Sequence, residues 1–159
     1  MEDSGGQRVR SFRDDLGQSI VEVALMLPLM AFTLLGGADM ARAFAVQLAV
    51  QNGARAGAEG LALAATPTVS EATTHVQQEL SRTPGVTATS ATINVTFTKA
   101  DGSSPCTGSS STSVAGTSSI ATPCYAKVRV RYTFTTLIPW PGLPNTFNFD
   151  RTTIMRRYQ

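Results

Sequence analysis

Residues 17–40 read GQSIVEVALMLPLMAFTLLGGADM, and the fold turns on how this stretch is interpreted. Between Ile20 and Ala38 the only charged residue is Glu22. A helix rising about 1.5 Å per residue over that length crosses most of a hydrocarbon layer roughly 30 Å thick. The segment is therefore a candidate membrane span. Arg8, Arg10 and Arg13 precede it, with Asp14 and Asp15 reducing the local charge. Basic residues beside a span bias that end toward the cytoplasm, so the reading is N-terminus in and C-terminus out. A carboxylate near hydrocarbon is costly unless it faces a partner, which marks Glu22 as a functional candidate. The competing reading places Glu22 at the interface, protonated or reaching toward water. Pro28 lacks an amide hydrogen and its ring crowds the carbonyl of Ala24, so a kink or local loosening is expected there. Such a proline is tolerated in a membrane helix when neighbours satisfy the freed carbonyl.

Two processing chemistries compete for this region. Ala41-Arg42-Ala43 is an A-x-A-like site behind an apolar core, and a signal peptidase cutting there would release a soluble domain beginning at Phe44. Against that, no small polar break separates the apolar run from the alanine-rich, helix-forming residues after it. The other reading rests on register: Gly17, then Gln18, Ser19, Ile20 and Val21, then Glu22, then the apolar run. This resembles the type IV prepilin signal, cut after the glycine by a peptidase on the cytoplasmic face. It implies removal of residues 1–17 and a new ammonium group on Gln18, one helical turn from Glu22. The implied partner for Glu22 is then the N-terminal ammonium of a neighbouring subunit.

Beyond the span, ARAFAVQLAVQNGARAGAEGLALAA (41–65) is rich in helix-forming residues, and nothing stops it before Thr66-Pro67. Helix from about residue 19 to about 64 would be roughly 65–70 Å long, a stalk exceeding what a bilayer needs. Gly37, Ala41, Ala45, Ala49, Gly53 and Gly57 recur every four residues. Such small-xxx-small rows let helix backbones approach closely, although so alanine-rich a segment also yields them by chance. Asp39 and Arg42, and Arg55 and Glu59, are spaced to face one another on the helix surface, where a pairing contributes little unless buried.

Taken together, GQSIVEVALMLPLM, GADMARAF and QNGARAGAEG resemble the TadE-like family. Its members share a glycine, a polar residue and a glutamate ahead of the apolar helix, an Asp and Arg just past it, and an N-x-AR-x-GA-like segment downstream. Residues 17–60 carry the likeness; Val23 stands where the usual pattern has Phe or Tyr. The resemblance implies a small pseudopilin or minor pilin of the tight-adherence (Flp) pilus. Its implied partners are a prepilin peptidase, other pilin or pseudopilin subunits and the membrane. It also points to Gly17 and Gln18 as processing residues, and to Glu22, Pro28, Asp39, Arg42, Gly53, Arg55 and Gly57 as candidate assembly residues.

In the C-terminal part, Thr68-Val-Ser-Glu71 reads as a capping box opening a short helix that buries Val69, Ala72, Val76 and Leu80 and ends before Pro84-Gly85. Two alternating stretches come next, residues 86–99 and 125–137. Ile93, Val95 and Phe97 share one face of the first. In the second, Val128, Val130, Tyr132 and Phe134 oppose Lys127, Arg129 and Arg131. Period two with β-branched and aromatic residues predicts half-buried strands, paired antiparallel. Residues 146–158 supply a third strand, with Phe147 and Phe149 inward and a bulge near Asp150. The intervening Ser/Thr/Gly-rich stretch, 101–123, has no core-forming content and is expected to be a flexible loop. Cys106 and Cys124 flank it without metal-site spacing, so a disulfide is expected, which would place this half outside the cytosol. The fold class is α+β and pilin-like: a long transmembrane and stalk helix (18–65), then a small antiparallel sheet domain with one short helix (66–159).

Several functions are set aside by composition. The chain has 159 residues, 13 Lys/Arg against 11 Asp/Glu, and no dense or aromatic-interleaved basic run, so no nucleic-acid surface is expected. The basic residues Arg129, Arg131, Arg156 and Arg157 read as a solvated sheet face or a docking surface. His75 is the sole histidine and has no acidic or cysteine residue within three positions, and no GxSxG, phosphate loop or metal-ligand cluster occurs. No enzyme activity, cofactor or metal is expected. The alternative to a pilus subunit is a membrane-tethered extracytoplasmic binding module or adhesin that stands outside any pilus.

Overall fold

The computed structural model describes the backbone of residues 6–63, 68–106, 118–139, 142 and 144–158, and side chains from Gly17 onward within these ranges. Helix α1 runs Gly6–Leu63, α2 Val69–Ser81, and the strands are β1 Thr92–Thr98, β2 Tyr125–Thr135 and β3 Thr146–Arg156. Two compact units result, Met1–Ala41 and Arg42–Gln159. The architecture is a long apolar helix followed by a small antiparallel sheet and a short helix, an α+β fold.

In the first unit α1 begins at Gly6, well before the expected start near residue 19, and passes both Gly17 and Pro28 without interruption. No strong breaker lies in residues 7–27, and a single glycine costs only about 1 kcal/mol in a helix interior. The side chains of residues 1–16 fall outside the described residues. From Ile20 to Leu35 the large apolar side chains are 47–73% exposed, so each leaves about half or more of its surface uncovered among the described residues.

In the second unit, residues 42–63 of α1 lie in the core rather than forming a free stalk. Val46, Ala49, Val50, Ala54, Ala58, Leu61 and Ala62 are buried there. The spacing of three and four residues among most of these puts one face of the helix against the domain. Helix α2 begins with the expected capping box: Thr68 Oγ1 accepts from Glu71 N at 3.2 Å, and Thr68 N donates to Glu71 Oε2 at 3.2 Å. Ala72, Val76 and Leu80 of α2 are buried at 0–1% exposure, as the periodicity predicts.

The sheet is three-stranded, in the order β1-β2-β3, and antiparallel throughout. Alternation along β2 sorts the side chains: Ala126, Val128, Val130 and Phe134 are buried, whereas Lys127, Arg129 and Arg131 point to the other face. On β1, Val95 and Phe97 complete the core and Ile93 packs against it. β1 is shorter than the alternating run 86–99. Residues Ala88–Ser90 form a 3₁₀ turn instead, and Tyr132 Oη accepts a hydrogen bond from Thr87 N at 3.2 Å. The early part of that run carries only Val, Thr, Ala and Ser, too little bulk to anchor a strand on the core face. The β2–β3 register is unbroken from Tyr125↔Arg156 to Thr135↔Thr146, so the bulge expected near Asp150 is absent. Phe149 packs against the core, but Phe147 at the strand's start is 38% exposed.

Cys106 and Cys124 form a disulfide with Cα atoms 5.8 Å apart, and both side chains are buried. Before it, Asp101 Oδ1 accepts from Ser103 N and Ser104 N at 3.0 and 2.9 Å, and Gly102 takes φ +73°, the left-handed conformation that suits glycine. This turn sends the chain back along β1: Cys106 N donates to Phe97 O at 3.2 Å, and Thr98 bridges Pro105. Of the expected loop 101–123, residues 107–117 lie outside the described residues.

Candidate functional site

The chemistry singled out in the sequence concentrates on α1. Gly17 and Gln18 are exposed, with nothing within 4 Å of where a Gly17 side chain would begin. Glu22 follows at one turn from Gln18, an axial rise of about 6 Å, and it too is exposed. Gly17–Leu63 is long and apolar enough to cross a membrane, and none of its most apolar window is buried within the chain. A helix apolar on every side and left uncovered is a candidate for a bilayer or for packing among other apolar helices. Asp39, past the apolar run, is 5% exposed.

The small-residue row does not stay on one face. Each four-residue step overshoots a 3.6-residue turn, so the row winds: Gly37, Ala41 and Ala45 are exposed, while Ala49, Gly53 and Gly57 are buried. Gly53 and Gly57 are occupied inside this chain. A Cβ at Gly57 would meet Val76 Cγ2 at 2.7 Å and Val128 Cγ1 at 3.3 Å, and one at Gly53 would meet Val76 Cγ1 at 3.4 Å. These glycines let α1 lie close against α2 and β2. Gly60 has a similar neighbour, because a Cβ there would come within 2.8 Å of His75 Cδ2, so the single histidine packs over helix backbone. Arg55 and Glu59 are exposed.

Arg42 opens the second unit with its guanidinium carbon 5.3 Å from the centre of the Phe134 ring, a cation–π contact that spacing along the helix could not reveal. The ring of Phe149 lies 6.3 Å from that of Phe134, tilted by 47°.

A second charged cluster sits on the outer face of the sheet. Asp150 lies opposite Arg131 and one step diagonally from Arg129. Arg129 Nε donates to Asp150 Oδ1 at 2.9 Å and to Oδ2 at 3.0 Å, its Nη2 also donates to Oδ2, and Arg131 Nε reaches Oδ2 at 3.1 Å. The hydrogen bond from Arg129, reinforced by Arg131, holds the Asp150 carboxyl below the ordinary carboxylate range, and Asp150 raises Arg129 in return. A single carboxylate thus ties two of these arginines together and offsets one of their two charges. Arg156 is exposed and has no ion-pair partner among the described residues, whereas Arg157 is 6% exposed and its pKa is lowered by burial.

Among the described residues no group of three or more His, Cys, Asp or Glu could hold a metal ion. A cavity of about 510 Å³ is lined by Ser118, Ser119, Ile120, Arg156, Arg157 and Tyr158. Ser118 Oγ there donates to Arg157 O at 3.2 Å and accepts from Cys124 N at 3.1 Å, a structural clasp rather than an activated nucleophile.

Comparison with known families picks out the segment that contains the uncovered helix. Residues 17–59 match TadE-like protein. No curated protein and no solved structure matches the chain. The TadE-like segment covers the apolar helix and the part of α1 that enters the sheet domain, and stops before α2. The likeness suggests an association with the Tad pilus, and among the described residues one helix is long and apolar enough to cross a membrane.

Proposed function

We propose that the protein is a pseudopilin or minor pilin that acts in assembly of a tight-adherence pilus after a prepilin peptidase removes residues 1–17. The observation that carries this reading is the register of Gly17 and Glu22 at the head of an apolar helix whose large side chains stay exposed among the described residues. Cleavage leaves the Gln18 ammonium and the Glu22 carboxylate one turn apart on the same helix. An incoming subunit's ammonium can then compensate Glu22 in surroundings where an uncompensated charge is expensive. The folded domain stays outside the cytosol, where a disulfide such as Cys106–Cys124 persists. The role is structural, and the partners are the peptidase, other pilin-type subunits and the bilayer.

A cut after Ala43 would separate Arg42 from Phe134, a contact within the folded unit, which favours processing at Gly17. The test is the N-terminal residue of the membrane-extracted protein, determined by mass spectrometry for wild type and Gly17→Val. A Gln18 terminus that reverts to Met1 in the variant supports the reading; a Phe44 terminus or an uncut wild type overturns it. Glu22→Gln should keep membrane insertion and the Gln18 terminus but lose pilus assembly. Retained assembly would instead favour a tethered binding module.

A further inference from the structure

The two edges of the sheet are treated differently. The chain folds back over β1 through the Phe97–Cys106 hydrogen bond and the Thr98–Pro105 bridge. β3, 11 residues long and free of proline and bulges, has no described strand beyond it. Its hydrogen-bonding phase is fixed by its two ends. Thr136 N donates to Asn145 O and Arg157 N to Cys124 O, both at 2.9 Å, so odd-numbered residues of β3 pair with β2. The backbone groups of Thr146, Asn148, Asp150, Thr152, Ile154 and Arg156 therefore face outward. Among the described residues, the hydrogen bond that reaches this edge is from Arg151 Nη1 to Asp150 O at 3.3 Å. Soluble proteins usually blunt so long and regular an edge.

We infer that β3 pairs antiparallel with β3 of a second copy of this chain, about a two-fold axis at Thr153. The sequence of the strand selects both the partner and the register. Antiparallel pairing must match outward-facing residues with outward-facing residues, so the axis falls on a residue. An axis at Asp150 sets carboxylate against carboxylate, and one at Arg151 sets guanidinium against guanidinium, both destabilising. An axis at Thr152 places Asp150 opposite Ile154. With the axis at Thr153, Asp150 of each copy lies opposite Arg156 of the other, and Thr152 lies opposite Ile154. Arg156 is an exposed cation with no ion-pair partner among the described residues of its own chain, and Asp150 Oδ1 accepts there from Arg129 Nε alone. The charges thus complement one another twice. Residues Asp150 to Arg156 of both copies form a ladder of about eight hydrogen bonds, joining two three-stranded sheets into one.

This pairing does not depend on pilus assembly or on cleavage at Gly17. The experiment uses the full chain in detergent micelles, oxidised and run on non-reducing gels. In the inferred register the Thr153 pair has Cα atoms about 4.5 Å apart, within disulfide reach, so Thr153→Cys should give a covalent dimer as the dominant species. Thr152→Cys places its thiols on a diagonal about 7–8 Å apart and should give little. Thr152→Pro removes an amide hydrogen that faces outward, leaves the β2 ladder intact, and should abolish the Thr153→Cys cross-link without loss of the folded circular dichroism spectrum. Cross-linking that is stronger at residue 152 overturns the register. Absence of a Thr153→Cys dimer, or a cross-link only to a different protein, overturns the second copy as occupant.

Discussion

A side chain at Gly57 would begin 2.7 Å from Cγ2 of Val76, closer than real Cβ atoms approach a carbon. Val76 and Val128, the two side chains it would meet, are both completely buried. Neither has room to retreat, because β-branched side chains are stiff about χ1. Gly57→Ala should therefore destabilise the domain by about 1–3 kcal/mol, the range for overpacking, despite the helix-propensity gain. Gly53→Ala meets Val76 only at 3.4 Å, an ordinary contact. It should be neutral or stabilising by up to about 1 kcal/mol. Urea unfolding of the two variants side by side checks the opposite signs, and equal destabilisation would show that the contact does not govern them.

The Asp150 carboxyl, held below its ordinary value first by the hydrogen bond from Arg129, should titrate below 3.8. Its folded pKa is lower than its unfolded one. The stabilisation is accordingly complete above the unfolded value near pH 3.9 and is lost as pH falls through the folded value. No change is expected from this group between pH 5 and 8. Carboxyl carbon chemical shifts read the midpoint directly, and Arg129→Ala should move it upward.

Thr68→Ala removes the side-chain arm of the capping box and should lower stability by about 1 kcal/mol. Thr74→Ala, on the exposed side of the same helix, loses only a hydroxyl bond to Ser70 O and should stay within about 0.5 kcal/mol of wild type. Thermal melts of the pair separate a cap from a generic threonine effect.

Joining Cys106 to Cys124 closes a loop with a sequence separation of 18. Replacing both by Ser should cost about 3 kcal/mol through the unfolded state. Because both sulfurs are buried, reductant should attack the folded protein only as fast as that end of the sheet opens. Thiol labelling with time in dithiothreitol measures this rate.

Features set by neighbours in sequence were readable from the chain alone. The capping box at Thr68 and Glu71, the buried triad Ala72, Val76 and Leu80, and the alternating faces of β2 all follow from local spacing. Features set by neighbours in space were not. A small-residue row looks the same whether it packs against another subunit or, as at Gly53 and Gly57, against its own domain. Asp150 becomes the partner of Arg129 and Arg131 only once the register of β2 and β3 is known. The alternation of residues 86–91 overstated β1, because Thr, Ala and Ser repeat with a period of two without supplying anything to bury. On α1 the likeness to TadE-like proteins was legible in residues 17–60, while the burial pattern showed where the exposed helix ends and the domain core begins.

The 5.8 Å between the Cα atoms of Cys106 and Cys124 makes the chain leave and return through a single doorway at one end of the sheet. The stretch ahead of Ser118 can lengthen, shorten or change composition while β1 and β2 remain in place, since closure is already fixed by a covalent bond and by the hydrogen bonds of Ser118 to Arg157 and Cys124. The domain therefore carries a cassette position ahead of Ser118: a site where an epitope, tag or binding peptide can be inserted without cutting the tie that joins β1 to β2.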